Sequence, residues 1–537
     1  MSNTTVPSIE TLPVEICHHI FDNLDVKTIL YSIRPVSRPT NTFPSEDDSF
    51  VSCELMYYAH EQLVKCLKLL SVKIKGILGQ DVPLNIVFLQ FKAKFGDIYQ
   101  FWLGPTRIIV VSRLEDVQHI FAHRHVYDQG DIFAEKFGLV NPNGIIALKG
   151  AKYKRHASIV GPLFRGNKIS IHLETTIDCT DKLLNRWRTY NNDPAHIHLN
   201  MIEQCQQLLL AIFGYIAFDY DLQTLDDENN NSPNELCRAL HTFHSTAVDL
   251  IRLPTVIGRI YLLLNREYRR SRAIIDQYLQ RMIDQELAEN PMTRAERKRT
   301  CLIASLVTSL QQDEMFEATK SEEDRKGLSR TEVMNEMCSF LTAGYSTTST
   351  ALAWFIHFMS KYPLVQSKLK RELAEYHLQR LSIEQLDSLG YLDCVLREVL
   401  RFAPPIIGTL RTLQVDDRLP SSGFQLNKGD HVFISLYNMA RDPRYWSGPI
   451  DPDQFYPERF QDEDNTIRNK AAWMVFGGGH RQCMGQDLAR LELKAICARL
   501  MQHVTFGDGG PDVNAGGYKY SDTLLPKRIG VTITFDD

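Results

Sequence analysis

The chain has 537 residues, of which 44% are hydrophobic and 23% charged, ample apolar material for a large core and the opposite of a disordered composition. A formal net charge of −5 gives no basic footprint, so nucleic acid is not an expected partner. Eleven cysteines without a single C-x-x-C pair argue against a disulfide framework and imply a reducing compartment.

In chain order, residues 1–38 read as two short helices, with Leu12-Pro13 opening the first and Ile16, Ile20, Phe21 and Leu24 forming an apolar stripe. The segment PTNTFPSEDDSF (39–50) has the composition of a linker. Between Leu55 and Leu78 apolar residues alternate with Lys65, Lys68, Lys73 and Lys75, an amphipathic pattern suited to a surface helix or a membrane surface. No run of about 18 apolar residues occurs, so no membrane-spanning segment is expected in this sequence. Strands are expected at IYQFWLG (98–104) and RIIVVS (107–112), joined as a hairpin, after which helices dominate. Two polar stretches, 227–236 and 311–327, read as exposed connections. Ser329 and Glu332 form a capping box that opens a helix uninterrupted by proline until Pro363, a span of roughly 50 Å at 1.5 Å per residue. A second helix, 389–402, stops before Pro404-Pro405, and a glycine-rich loop, FGGGHRQCMG (476–485), leads into a third. The fold class expected is mainly α with a small β lobe.

Chemistry concentrates in that loop. Phe476, Gly479, Arg481, Cys483 and Gly485 stand at the spacing F-x-x-G-x-R-x-C-x-G, which arises by chance in a chain this long on the order of once in ten thousand. Cys483 lies just before a helix whose free N–H groups favour negative charge, as a thiolate metal ligand needs. Gly479 and Gly485 are expected to allow backbone approach that a side chain would block.

At these residues the sequence resembles the cytochrome P-450 family over roughly residues 81–537. The resemblance implies haem b, with Cys483 as its iron ligand, Phe476 shielding the sulfur, and Arg481 and Arg411 pairing haem propionates. It extends to E-x-x-R as Glu398 and Arg401 and to P-E-R-F with Arg459, implying a structural Glu-Arg-Arg network beneath the loop. Ala343-Gly344-Tyr345-Ser346-Thr347-Thr348 resembles the family's oxygen-site signature A-G-x-[D/E]-T-T, in which the helix opens locally and Thr347 delivers protons to dioxygen, with Phe340, Ala343 and Gly344 on the distal wall.

Two departures stand out. Ser346 replaces the usual carboxylate, from which slower proton delivery or leakage of peroxide is expected. In KGAKYKRHASIVGPLF (149–164), Tyr153 and Ala157 stand where the family has tryptophan and arginine, so one propionate contact is lost; Arg155 and His156 are nearby cations, but at neighbouring helical angles neither occupies the same place.

The segment 8–38 resembles the start of an F-box, through Leu12-Pro13, Ile20-Phe21 and Val36-Ser37-Arg38, which implies a Skp1-like adaptor as a partner; the pattern breaks off at Arg38. The expected organisation is therefore an F-box-like fragment (1–38), a linker and amphipathic segment (39–80) and a haem domain (81–537). The expected activity is a monooxygenase that inserts one oxygen atom from O2 into a lipophilic substrate. Electrons would come from NADPH through a separate reductase, because the chain has no G-x-G-x-x-G motif. Substrate contacts are expected from Asp128 to Leu139, from Ile406 and Ile407, and near Leu524, and the resemblance implies the cytosolic face of the endoplasmic reticulum membrane. The alternatives are a reductase-independent haem-thiolate enzyme that rearranges peroxides, and an F-box adaptor with a degenerate haem domain.

Overall fold

The computed structural model describes residues 83–536 except 104–105, 165–167, 190–192, 194, 226–233, 299, 378, 447–449 and 462–470. Met1–Val87 and Phe88–Asp537 are two separate units. The expected modules at 1–38 and 39–80, including the F-box-like segment and the amphipathic stretch, lie outside the described residues.

The second unit is mainly helical, with a small sheet whose strands come from 98–129 and 409–434 and short two-stranded sheets toward its end. In the five-stranded sheet the strands run Ile98–Leu103, Thr106–Val111, His431–Ile434, Thr409–Leu413 and Tyr127–Gln129. The first two pair antiparallel as the sequence pattern predicts, Ile98 opposite Val111. Thr106–Val111 then pairs parallel with His431–Ile434, a partner more than 300 positions away, and Ile108 to Val111 are all buried. That continuous apolar run is what a strand needs when both of its faces are covered.

The long helix is Arg330–Lys361, 32 residues, about 48 Å. Its capping box forms as expected: the Ser329 hydroxyl accepts from the Glu332 amide, and the Glu332 carboxylate accepts from the Ser329 amide. Pro363 opens the next helix, Pro363–Leu373, at a position where a missing N–H costs nothing. From Asn335 to Ser360 the long helix is buried except at Ala343, Gly344 and Thr347. It packs on Met201–Phe218, the one described helix long and apolar enough to cross a membrane; that helix is mostly buried in the protein. Gly344 is what lets the two approach, since a Cβ there would stand 2.3 Å from the Phe213 ring.

Helix Gly150–Val160 ties into the start of the long helix. Arg155 is buried and donates to Glu332 (2.8 and 3.0 Å), Glu322 (2.6 and 2.9 Å) and the Gly327 carbonyl (2.6 Å). His156, fully buried, pairs with Glu336 and Glu332. The polar stretch 311–327 contains a short exposed helix, Glu314–Ala318, rather than loop alone.

Candidate active site

The cysteine loop is shaped by one phenylalanine from a neighbouring helix. Gly477 and Gly479 take φ of +73° and +68°, the left-handed region that favours glycine. A Cβ on Gly479 would lie 2.3 Å from the Phe121 carbonyl oxygen, and one on Gly478 would lie 2.5 Å from the Phe121 ring. Gly485 differs from expectation: its φ is −87° and a Cβ there meets no atom within 4 Å. The close approach belongs to the run 477–479, whose three consecutive glycines were the visible signal.

The loop closes on itself where the Cys483 amide donates to the Phe476 carbonyl at 2.9 Å. Phe476 meets Trp473 edge-on at 6.0 Å, and the Trp473 indole donates to the Arg397 carbonyl at 3.1 Å, fastening the loop to helix Gly390–Phe402. Cys483 is the one exposed cysteine among the described residues, and surrounding atoms still desolvate its thiol. That burial pushes the thiol above its ordinary value, with the Gly485 amide pulling the other way. The helix N-terminus alone does not make Cys483 a thiolate. A bound cation is what would hold the sulfur anionic.

Helix Gly390–Phe402 brings Glu398 and Arg401 together, and the turn Pro457–Phe460 adds Arg459. Glu398 accepts from Arg401 (2.7 and 2.8 Å), from Arg459 (3.0 Å) and from the Tyr456 amide (2.8 Å). Arg401 also donates to the Ala440 carbonyl (2.6 Å), and Arg459 to the Gln454 carbonyl (3.0 Å). All three side chains are buried, and each is hydrogen-bonded, which is the condition under which a buried charged cluster is stable.

A second group of charges gathers beside the cysteine loop. Arg481 donates to the Leu148 carbonyl at 2.7 Å, stacks 3.4 Å over the Tyr153 ring and reaches Asp128 at 3.5 Å. Tyr153 in turn donates to the His480 carbonyl at 3.1 Å. Arg411, buried in its strand, donates to the Thr409 hydroxyl and the Leu410 carbonyl, both at 2.8 Å. Burial and the charge of Arg481 lower the Arg411 guanidinium to about 10. Asp128, missed as a charge partner in the sequence, is held well below the usual carboxylate range: burial opposes this, but His480, the Gln129 amide, Arg481 and Lys149 prevail. Arg155 and His156 do not replace the missing propionate contact, because both are committed to Glu332 and its neighbours.

On the long helix, Ala343, Gly344 and Thr347 share the one face that is not buried. The expected local opening is absent: the α-helix runs unbroken through 343–347, and the Thr347 hydroxyl donates back to the Ala343 carbonyl at 3.0 Å. Phe340 stacks on Phe164 at 5.1 Å. Ser346 is buried. Of the expected substrate contacts, Ile406 is 38% exposed, whereas Ile407 and Leu524 are buried in the core; Asp131 to Leu139 belong to helix Asp131–Val140.

These residues fit an iron porphyrin. Cys483 offers an exposed sulfur, and Arg411 and Arg481 both lie in the field of one carboxylate, Asp128, which Arg481 reaches at 3.5 Å, leaving an excess of positive charge suited to propionates. The buried Arg481 Nε has no hydrogen-bond partner among the described residues.

Comparison with known proteins agrees with this chemistry. The family model described as cytochrome P450 matches residues 74–512, more than half of the chain. Cytochrome P450 monooxygenase 205 of Postia placenta is 26% identical, covering 77% of this chain and 80% of its own. Cytochrome P450 4V2 of Mus musculus is 26% identical (75% and 76%), and cytochrome P450 734A1 of Arabidopsis thaliana is 23% identical (82% and 80%).

Proposed function

The chain belongs to the cytochrome P450 family of haem-thiolate monooxygenases, and from that premise we propose that it hydroxylates a lipophilic small molecule with electrons passed from NADPH through a separate reductase. The carrying observation is Cys483, an exposed yet desolvated cysteine on a loop pinned by Phe121. In this reading Cys483 would hold the iron of haem b through its sulfur, and the group would supply reductive activation of dioxygen when bound. Arg411 and Arg481 hold the propionates, while Phe476 and Trp473 keep water from the sulfur. Glu398, Arg401 and Arg459 fix the backbone beneath the loop and take no part in the chemistry. Thr347 presents its hydroxyl on the open face of the long helix, where it holds and passes protons, and Ala343 and Gly344 leave room beside it. Ile406, apolar and exposed, is a substrate contact. The same reading puts its place of work at the cytosolic face of the endoplasmic reticulum membrane, supported by the family resemblance alone.

The test is the carbon monoxide difference spectrum of the dithionite-reduced, haem-supplemented full chain. A strongly red-shifted Soret band that vanishes in Cys483→Ala is expected. An unshifted band in the unsubstituted protein would remove thiolate ligation and with it this mechanism.

A further inference from the structure

Helix Gly150–Val160 is a strut between the cysteine loop and the long helix. Its Tyr153 holds the loop at the His480 carbonyl and at the Arg481 guanidinium, just before Cys483. Further along, Arg155 and His156 hold the long helix at Glu332 and Glu336. The two carboxylates differ in the cations they meet. Glu332 has three within ion-pair distance: Arg155 at 2.8 Å, His156 Nε2 at 3.5 Å and Lys152 at 3.6 Å. Glu336, with no exposure to water, has His156 Nδ1 alone among the described residues, and His156 is itself fully buried. Of these three cations, only histidine gives up its charge in the ordinary pH range.

We propose that the His156–Glu336 pair is a proton-dependent lock: while His156 is charged the strut holds the cysteine loop in place, and when its proton leaves the strut and the loop loosen together. The effect on the sulfur rests on the haem-thiolate reading above. Losing that proton leaves Glu336 a buried carboxylate without a cation in reach, a costly state that opening of the helix relieves by admitting water. No neighbour can take over. Arg155 is spent on Glu332, Glu322 and the Gly327 carbonyl, and Lys152 lies by Glu332 with its ammonium donating to Asn143 at 2.6 Å. In the turn before the long helix, Arg325 pairs with Glu322 at 3.0 Å, and Arg272 of helix Arg266–Ala288 pairs with Asp276 at 3.0 Å. Residues 141–146 and helix Leu302–Thr308, which pack on the same junction, carry no charge. Burial alone would lower the His156 value, but Glu332 and Glu336 prevail and hold it above that of an ordinary histidine. A raised histidine contributes stability that is fully present below its unfolded value and is lost as pH rises through its folded value, so the lock opens on the alkaline side.

The experiment takes the full chain, haem-loaded and haem-free, from about pH 6 to about pH 10 and reads amide hydrogen exchange of residues 150–160 and 476–485, corrected for the intrinsic effect of pH. In the loaded chain it also reads the red-shifted share of the carbon monoxide band. Exchange in both segments is expected to rise together several-fold on the alkaline side, while the red-shifted band gives way to an unshifted one. Glu336→Gln leaves no charge to strand and should flatten both responses. His156→Gln combined with Glu336→Gln should do the same if the single variant does not fold. The proposal is overturned if exchange in the unsubstituted chain does not change with pH, if residues 150–160 respond without residues 476–485, or if the response persists undiminished in the substituted chain. Absence of the red-shifted band at every pH in the unsubstituted protein would instead reject the haem-thiolate reading, while exchange in the haem-free chain would still decide the lock.

Discussion

Glu398 holds two guanidinium groups and one backbone amide on a single buried carboxylate. Removing its charge strands Arg401, which has no exposure to water, with only the Ala440 and Gln454 carbonyls. Breaking one member of a buried pair costs about 3–5 kcal/mol because the partner charge remains. Glu398→Gln is therefore expected to lower unfolding stability by that order, seen as a reduced urea midpoint, and to reduce haem retention through the loop fastened at Arg397. Glu492, on the helix Gln486–His503 that follows Cys483, behaves in the opposite sense. Burial pushes its carboxyl up to about 8, well above an unfolded glutamate. The folded chain binds that proton where the unfolded chain has lost it, so the contribution is fully present below the unfolded value and is lost as pH rises through about 8. Glu492→Gln should thus stabilise the protein at pH 8, do little near pH 4, and flatten the urea midpoint between them.

At the scale of elements, the start of the long helix combines a local motif with a distant one. Ser329 caps Glu332, and Glu332 then receives Arg155 from a helix 177 positions earlier. Ser329→Ala should cost about 1 kcal/mol, the usual worth of an N-cap. Glu332→Gln should cost more, since it also weakens the Arg155 contact; equal urea midpoints for the two variants would mean that the distant contact contributes nothing. The two halves of this junction differ in how far they could be read from sequence. The capping box, the helix limits near Ser329 and Pro363, and the strands after residue 98 all follow from local spacing. The partners of Arg155 and His156 do not, because no short-range pattern says which acidic residues a folded helix will face. The same holds for Gly344: its neighbours suggest an oxygen-site opening, whereas the Phe213 ring packed against it gives the helix contact that requires glycine. No protein atom stands close to Gly485, and only the third dimension brings Phe121 to Gly478 and Gly479.

The largest scale is where the charge surplus beside the cysteine loop is assembled. Asp128 and Arg411 come from strands of the five-stranded sheet, Tyr153 from helix Gly150–Val160, and Arg481 from the loop. The sequence motif identified Arg481 and, by position after the proline pair, Arg411. It gave no sign of Asp128, because an acid between them matters only once the sheet is built. Two guanidiniums with one carboxylate repel each other, which is part of why Arg411 sits near 10 rather than at its ordinary value. Losing one arginine therefore relieves that repulsion while leaving a cation for the propionates. Losing both leaves Asp128 facing them with His480 and Lys149 alone. Arg411→Gln and Arg481→Gln should each weaken haem binding by about tenfold, and the double variant by more than about a hundredfold. Titrating haem into each apoprotein by Soret absorbance measures this directly, since single losses that already abolish binding would mean that each propionate depends on its own arginine rather than on the shared field of the cluster.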